Sequence, residues 1–305
     1  MKTLLVLIKR NTKLFFKDKG MFFTSLITPA ILLLLYATFL GNVYRGSFTS
    51  ALPDGLSIPE KLINGCVGGQ LISSILAVSC VTVSFCSNML MVQDKVSGSI
   101  HDLTISPVKA PVLALGYYIS TIISSLTVCL TAAAICLCYV GAVGWYLSFS
   151  DVLLLIADVV LLVLFGTALS SIINFFLSTQ GQISAVGSII SSVYGFICGA
   201  YMPISQFADG LQKVISFLPG TYGTSLVRNH AMNGVFKEMA AQGFPEEVVE
   251  AIKDSVDCNL YFFESKVEIP QMYAILGITC IALIAIYIIM NTVKIKKSKI
   301  ERIVD

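Results

Sequence analysis

Long apolar runs alternate with short polar segments along the whole chain. Six runs are long enough to cross a bilayer, because about 20 helical residues span a hydrocarbon core of about 30 Å. They cover residues 21–41, 66–92, 112–142, 152–177, 183–203 and 271–291. These runs lack the alternation of apolar and polar positions that marks a membrane β-barrel, so each predicts a helix. The pattern therefore predicts an all-α, polytopic membrane protein with six transmembrane helices.

Composition and charge agree with this pattern. Of the 305 residues, 56% are hydrophobic and 12% are charged, whereas soluble domains average about 45–50% apolar and about 25% charged. Six spans put both termini on one side, and that side receives thirteen of the 20 Lys and Arg residues. The positive-inside rule makes it the cytoplasmic side of a plasma membrane. The net charge of +2 is the sum over the two sides of the membrane, which differ in charge, so it carries little information. We expect no nucleic-acid partner.

An amphipathic helix is predicted ahead of the first span, over residues 2–19. Its basic residues fall within one arc of a helical projection, while leucine and phenylalanine occupy the rest. The basic set is Lys2, Lys9, Arg10, Lys13 and Lys17. Such a helix lies in the membrane plane with its charges at anionic headgroups, so membrane lipids are a predicted partner. The alternative is a plain positive flank of the first span, which needs charges but no sorting by face.

The longest polar segment, residues 205–270, is expected on the outer side. Apolar residues at helical spacing end at Pro219 and Gly220, which predicts a short re-entrant hairpin, neither half of which spans the membrane. Pro245 then begins a further outer helix. The whole is expected to be one transmembrane domain, with its parts at 2–19, 21–203 for spans one to five, 205–270, 271–291 for span six, and 292–305 for a basic cytoplasmic tail.

The chain carries no recognisable catalytic motif. A phosphate-binding loop ends in Gly-Lys, and that pair does not occur. The two histidines, His101 and His230, are too few for a zinc site and are expected on opposite sides of the membrane. We therefore expect no enzyme activity, no metal site and no cofactor in this polypeptide. Cys66 and Cys258 are the two cysteines expected at the outer face, so a disulfide between them stays open.

Asp158 is the one ionisable residue expected deep within a span. It lies about 10 Å below the outer face at a rise of about 1.5 Å per residue. Intramembrane carboxylates mark proton and ion paths, so one interpretation is a polar point on a translocation path. The other is a carboxylate near the outer end that faces water or a neighbouring helix. A proton-coupled carrier that uses Asp158 is thus an alternative function.

A short polar stretch, KVSGSIHDLTISPVKAP at residues 95–111, separates the second and third spans on the cytoplasmic side. Gly98 allows a tight entry, and Ser99 with Asp102 predicts a capping box for a following helix. Pro107 ends that helix, because the residue before a proline avoids the helical region. The stretch predicts a rigid helix of little more than one turn, near residues 100–105. A mere structural turn is the alternative.

These residues resemble the signature of ABC-2 type transporter permeases. The family pattern G-[ST]-[LI]-x-x-L-x-x-[ST]-P is matched by Gly98, Ser99, Ile100, Leu103, Ile105, Ser106 and Pro107. Asp94 matches an acidic position that many members have four residues before the glycine, whereas Val96 departs from a second one. The basic first helix, the six spans and the re-entrant hairpin extend the resemblance to nearly the whole chain.

The resemblance implies that residues 99–106 form a coupling helix that docks on a separate ATPase subunit. The implied contacts with that subunit are Asp94, Gly98, Ser99, Ile100, Asp102, Leu103, Ile105, Ser106 and Pro107. ATP and Mg²⁺ would bind to the partner, and two permease copies, or this one with a sibling, would form the pathway. The second and fifth spans are candidates to line it, the alternative being that their side chains only pack or face lipid.

The expected function is that of the membrane-spanning subunit of an ATP-driven exporter for an amphipathic drug, antibiotic, peptide or lipid. The spans offer no charged groove for long polyanionic glycans, so a polysaccharide or teichoic-acid exporter is the alternative within the family. Outside it, the alternatives are the Asp158 carrier and a membrane anchor or sensor without transport.

Overall fold

The computed structural model describes residues 2–50, 58–106, 108–263 and 265–304, and within these ranges the chain is nearly all-α. The α-helices are α1 Lys2–Lys17, α2 Lys19–Leu35, α3 Gly41–Ser50, α4 Glu60–Val96, α5 Ser99–Ile105, α6 Ala110–Val143, α7 Phe149–Phe176, α8 Gln180–Ile197, α9 Asp209–Ile215, α10 Pro219–Ala241, α11 Glu246–Ser255 and α12 Ile269–Val304. A π-helical segment, Tyr36–Leu40, joins α2 to α3, and a 3-10 turn, Ile204–Gln206, precedes α9. Two short strands, β1 Leu260–Phe262 and β2 Ser265–Val267, pair as an antiparallel hairpin that the sequence did not predict.

Four of the described helices are long and apolar enough to cross a membrane: α4, α6, α7 and the Ile269–Val293 part of α12. A fifth span results if α1 and α2, which meet at an angle of 73°, are counted together. α8, at 18 residues, begins with two glutamines within its first three positions, and α2 has only 17 residues. The structure thus has a helix at each of the six predicted places, while the count of six spans stays a prediction.

α4 is the centre of the fold and packs against α2, α6, α7, α8 and α10. It is buried along nearly its whole length, which requires small residues wherever a neighbour approaches. A Cβ atom at Gly69 would lie 2.6 Å from Cγ of Met232 in α10, and one at Gly166 of α7 would lie 3.0 Å from Cα of Val81. Close approach of this kind is how helices associate in lipid, where apolar burial alone does not drive helices together.

A polar contact in the middle of the bundle ties α4 to α7. The side-chain amide of Asn88 donates hydrogen bonds of 3.0 Å to the hydroxyls of Ser170 and Ser171. All three residues are buried. Interhelical hydrogen bonds of this type each contribute about 0.6 kcal/mol to the stability of membrane bundles. The two hydrogen bonds of Asn88 therefore set the register of α4 and α7 more than they stabilise the bundle.

α1 is bent by 73° relative to α2 and packs mainly against α6. Leu7, Asn11 and Phe15 form its buried face. Leu7 lies close to Gly116 of α6, where an added Cβ would lie 3.1 Å from Cβ of Leu7. Asp18 makes the corner, because its carboxylate accepts a 3.1 Å hydrogen bond from the N–H of Met21 in the first turn of α2. The helix predicted at 2–19 is present, and its location in the membrane plane stays a prediction.

Two elements in the later part of the chain are longer than the apolar pattern indicated. The break predicted at Pro219 and Gly220 is present, since α9 ends at Ile215 and α10 begins at Pro219, but α10 then continues for 23 residues and is buried against α4, α7 and α12. The basic segment at 292–305 continues α12 as a helix to Val304, because Lys, Glu and Arg are good helix formers. The re-entrant hairpin and the cytoplasmic location of the basic tail stay predictions.

Candidate functional site

α5 is a helix of seven residues between the ends of α4 and α6. Gly98 precedes it at φ +79°, in the left-handed region that glycine adopts without strain. The predicted capping box of Ser99 and Asp102 is wrong: Gly98 takes the cap position, and no side chain caps the first turn. Ser99 is instead the first helical residue, and its hydroxyl hydrogen-bonds that of Ser97 at 3.0 Å.

The predicted end of α5 agrees with the structure. Ser106 is extended, and its N–H donates a 3.2 Å hydrogen bond to the carbonyl of Asp102. Its hydroxyl donates to the carbonyl of Leu103 at 2.7 Å, which satisfies two of the last orphan acceptors of the helix. Pro107 lies outside the described residues. The segment is therefore a defined short helix and not an irregular turn.

The two faces of α5 differ in what they contact. Ile100 and Leu103 pack inward, against a cluster formed by Leu7, Met91, Leu113, Ala114, Tyr117, Tyr118, Ala168 and Tyr287. His101, Asp102 and Ile105 point outward, and Ile105 is 70% exposed. We call these three residues the outward face of α5. Ile100 and Leu103, which the resemblance assigns to a contact with a partner, connect α5 to its own bundle, and the partner contact stays a prediction.

Arg10 and Asp94 form a bidentate ion pair between α1 and the last turns of α4. The two guanidinium nitrogens of Arg10 donate to the two carboxylate oxygens of Asp94 at 2.6 and 2.9 Å. The hydroxyl of Tyr117 in α6 donates to the same carboxylate at 2.5 Å. Three helices that surround α5 are thereby joined at one carboxylate, whose side chain is 7% exposed.

This pair gives two predicted surface residues a partner within the protein. Arg10 was assigned to the membrane surface with Lys2, Lys9, Lys13 and Lys17, but its guanidinium faces the protein. Asp94 was assigned to the ATPase contact, but it is buried and its oxygens are occupied by Arg10 and Tyr117. The reason is that both residues fall where α1 crosses α4 and α6, and charges removed from water need partners.

Replacing Arg10 with methionine should lower the free energy of unfolding by about 1.5–3 kcal/mol, the range for hydrogen bonds to a charged group. The loss arises because the buried carboxylate of Asp94 keeps only Tyr117. Chemical denaturation in detergent measures it, and Lys13→Met, an exposed lysine on the same helix, is the matched control. A double variant with Asp94→Asn should recover part of the loss; equal stability of Arg10→Met and wild type would contradict the assignment.

Lys95 joins the end of α4 to the end of α7. Its ammonium donates three hydrogen bonds of 2.8 Å, to the carbonyls of Asn174, Phe175 and Leu177. A cation at a helix C-terminus also complements the helix dipole. The residue that opens the polar stretch before α5 therefore holds α7 at the same level of the bundle.

A groove of about 1130 Å³ runs between α2, α4 and α8. Its α2 wall is largely apolar, with Ile27, Ile31 and Leu35, while the α8 wall carries a row of serines. These serines are Ser184, Ser188, Ser191 and Ser192. α8 and α4 approach each other closely at Gly187, where a Cβ would lie 3.1 Å from Cε of Met89 in α4. Among the described lining residues Asp18 is the one with a charged side chain.

The second and fifth predicted spans, α4 and α8, both line this groove, and whether it is a transport pathway stays a prediction. α2 lines it too, which the sequence did not predict. The combination of an apolar wall with hydroxyl groups suits an amphipathic molecule, because the groove offers apolar contact and a few oriented polar groups.

A comparison with known protein families identifies the family of this chain. The ABC-2 type transporter family matches residues 2–231, which takes in α1, α5, the groove and the first half of α10. The chain belongs to the ABC-2 type transporter family. It is a multi-pass membrane protein and the permease component of an ABC transporter, and such a permease is not itself the ATPase. No individual curated protein matches the chain.

In this permease, Asp158 is buried and binds two neighbouring helices. Its Oδ2 lies 2.6 Å from Nδ1 of His230 in α10, and its Oδ1 accepts a hydrogen bond from the hydroxyl of Tyr273 in α12. It is not among the residues that line the groove. This geometry matches the second interpretation of Asp158, a carboxylate that faces neighbouring helices, and a role in translocation stays untested.

Arg228 of α10 is fully buried where α4, the end of α8 and the loop after α11 meet. One guanidinium nitrogen donates to the carbonyl of Val256 at 2.6 Å and lies 3.3 Å from Oδ2 of Asp257. The other donates to the carbonyl of Gly199 at 2.9 Å. The Nε–H reaches the hydroxyl of Ser73 in α4 at 3.4 Å. One side chain thus ties together α4, α10, the end of α8 and the loop after α11.

The disulfide left open by the sequence is absent, since Cys66 and Cys258 are both free and buried. Burial raises the pKa of the Cys258 thiol to about 12. The thiol is therefore protonated at neutral pH, whereas the thiolate is the form that attacks and forms disulfides.

Several residues of this site were missed because their partners are distant in the sequence. Arg228 is separated from Ser73 by 155 positions, and Lys95 from the end of α7 by about 80. His230 was placed on the outer side but not connected to Asp158. The signal in the sequence was the presence of single charged or polar residues in otherwise apolar surroundings, since such groups are buried only with partners.

Proposed function

We propose that this permease forms an exporter with a second permease copy or a sibling and with two separate ATPase subunits that bind ATP and Mg²⁺. In this proposal the chain has six spans with both termini in the cytoplasm, α1 lies in the membrane plane, and α9 with the first part of α10 forms the re-entrant element. α5 is the coupling helix.

The observation that carries the proposal is the position of Ile105. It is a large apolar side chain, 70% exposed, on a helix that follows Val96 at the polar end of α4. The rest of α5 is fixed from behind, because Ile100 and Leu103 pack on the bundle and Gly98 sets the entry angle. An exposed apolar anchor on a rigid support is typical of a protein contact.

Coupling then follows from the connections of α5. When the ATPase subunits close, they push the outward face of α5, and Ile100 and Leu103 transmit the movement to the cluster around Tyr117. The Arg10–Asp94 pair connects the same region to α1, which leads through Asp18 into α2 at the groove. A ligand such as ATP shifts the equilibrium between permease conformations only if the two ATPase states contact α5 differently.

For the cargo we propose an amphipathic drug, antibiotic, peptide or lipid that is neutral or cationic. The groove supports this choice, since it has an apolar wall, a serine row and one carboxylate, Asp18, at its α1 end. Long polyanionic glycans would meet no cationic lining there, so polysaccharide or teichoic-acid export is the second candidate.

Transport in proteoliposomes tests the proposal. The permease and its co-purified ATPase should move a fluorescent amphipathic cation on addition of ATP. Gly187→Leu should reduce this transport to the level without ATP, because its side chain fills the groove beside Met89. Gly277→Leu in α12, where a Cβ meets open space, is the matched control and should transport normally. Transport that survives ATP depletion but is lost in Asp158→Asn would instead indicate a proton-coupled carrier.

A further inference from the structure

Two exposed aromatic rings at the end of the β hairpin meet a third from the segment after α9. Phe262 and Phe263 have ring centroids 5.0 Å apart, and Phe217, two residues after α9, meets them edge-on at 5.1 and 6.1 Å. The contacts between the rings bury little of their surface: Phe217, Phe262 and Phe263 are 63%, 38% and 57% exposed. We call these three residues the aromatic tip. A cluster of exposed large apolar side chains marks a contact with a partner or a membrane.

A second groove, of about 620 Å³, separates the aromatic tip from α12. Phe217 and Phe262 form one wall, and Ala274, Ile275 and Ile278 of α12 form the other. Ile278 is 68% exposed, and it continues into the outward-facing apolar surface of a helix that meets the criteria of a membrane span. Ile278 thus lines this groove and also begins the exposed apolar surface that continues along α12 through Ile281 and Ile289.

Depth along α12 agrees with this continuity. Ile278 lies nine residues after the start of the helix at Ile269, which is about 13 Å at about 1.5 Å per residue. The groove therefore starts near the N-terminal end of the α12 span. It extends along α12 to a depth at which lipid acyl chains would surround the helix.

The hairpin also carries polar groups. Tyr261 and Lys266 are paired across the two strands. The hydroxyl of Tyr261 donates to Asp254 at 3.1 Å, and the ammonium of Lys266 donates to Glu250 at 3.3 Å. The hairpin thus combines exposed aromatic rings with hydrogen-bonded polar groups, and Lys266 also lines the groove together with Ser216, Ser265 and Gln271. Aromatic rings beside polar groups, with a lysine stem along an apolar surface, are typical of segments at a membrane–water boundary.

We infer that the aromatic tip is a membrane anchor: it inserts into the leaflet at the N-terminal end of α12, and phospholipid acyl chains fill the groove between the tip and α12. Both strands lie beyond residue 231, where the family match ends, so the anchor does not follow from family membership. It depends on α12 crossing the membrane and is independent of ATPase docking and of the cargo.

Tryptophan fluorescence tests the anchor directly, because the chain has a single tryptophan, Trp145. In a Trp145→Phe background, Phe263→Trp places a reporter in the tip. Tyr261→Trp, two positions away among the polar groups, is the matched control, and Ile281→Trp, 71% exposed on α12, marks the lipid-facing surface. Each is reconstituted in phosphatidylcholine vesicles with or without bromine on the acyl chains.

The Phe263→Trp emission should be blue-shifted, quenched by brominated lipid as strongly as that of Ile281→Trp, and protected from iodide. Tyr261→Trp should show the reverse. Iodide quenching of Phe263→Trp equal to that of Tyr261→Trp would place the tip in water and overturn the inference. Protection from both quenchers would mean that protein covers the tip, which overturns it too. Phe217→Trp repeats the measurement from the segment after α9 in case the Phe263→Trp chain does not fold.

Discussion

We expect the Ile105→Glu permease to lose its ATPase subunit while it keeps its fold. Ile105 contributes little to the fold because 70% of its surface is exposed. In a docked complex a carboxylate there would be removed from water without a partner. Changes at a central interface residue weaken binding by about 2–4 kcal/mol, which reduces affinity roughly thirtyfold or more. Co-purification from membranes and ATP-driven transport measure the two consequences.

Two further variants separate docking from folding. Ile105→Leu keeps an apolar side chain of the same volume and should retain the ATPase. Leu103→Asp puts a charge into the inward-facing contact and should lower the midpoint of thermal unfolding, whereas Ile105→Glu should leave that midpoint unchanged. If Ile105→Glu co-purifies with the ATPase in the wild-type ratio, the ATPase contacts another surface and the proposed coupling route fails.

Removal of Arg228 should destabilise the permease more than removal of Arg10 does. In Arg228→Met the Asp257 carboxylate stays buried without its cation, and the carbonyls of Val256 and Gly199 lose their donors. Breaking a buried ion pair from one side lowers the free energy of unfolding by about 3–5 kcal/mol. The measurement is thermal or chemical unfolding in detergent. Because Asp257 also accepts the N–H of Ile204 at 2.9 Å, the loop before α9 should loosen as well.

The pH dependence of this variant has a defined sign. Burial raises the pKa of the Asp257 carboxyl, and the guanidinium of Arg228 opposes that rise. Without Arg228 the folded-state pKa rises further above the unfolded value, so the folded state binds a proton that the unfolded state has released. Stability of Arg228→Met should therefore fall as pH rises, from about pH 4 upward. Arg228→Met combined with Asp257→Asn should lose this dependence and regain stability; a pH profile that the second change leaves unaltered would contradict the pairing.

The local elements of this fold could be predicted from the sequence, and the pairs between them could not. Apolar runs located the helices, and Gly98 and Pro107 located α5 to within one residue. The direction of each side chain on α5 depends instead on where α1, α4 and α6 pass behind it. That is why Ile100 and Leu103, assigned to the partner by the family pattern, turned out to face inward.

The partners of the polar residues were even harder to predict from the sequence. Arg10 has the right spacing for a basic surface stripe, and only the crossing of α1 over α4 gives it a buried carboxylate to bind. The β hairpin escaped prediction because its strands have three residues each, too few for an alternating pattern to be visible. Its exposed aromatic rings were equally unforeseen, since sequence alone does not distinguish a phenylalanine in a core from one at a surface.

The unbroken course of α12 makes it longer than a membrane requires. Its 36 residues extend about 54 Å at about 1.5 Å per residue, whereas the hydrocarbon core is about 30 Å thick. If its first turns lie at the outer boundary, the helix ends well beyond the opposite headgroups. In the proposed orientation α12 would extend into the aqueous space where the ATPase is proposed to bind, and a fluorophore attached near Val304 would report the approach of that subunit.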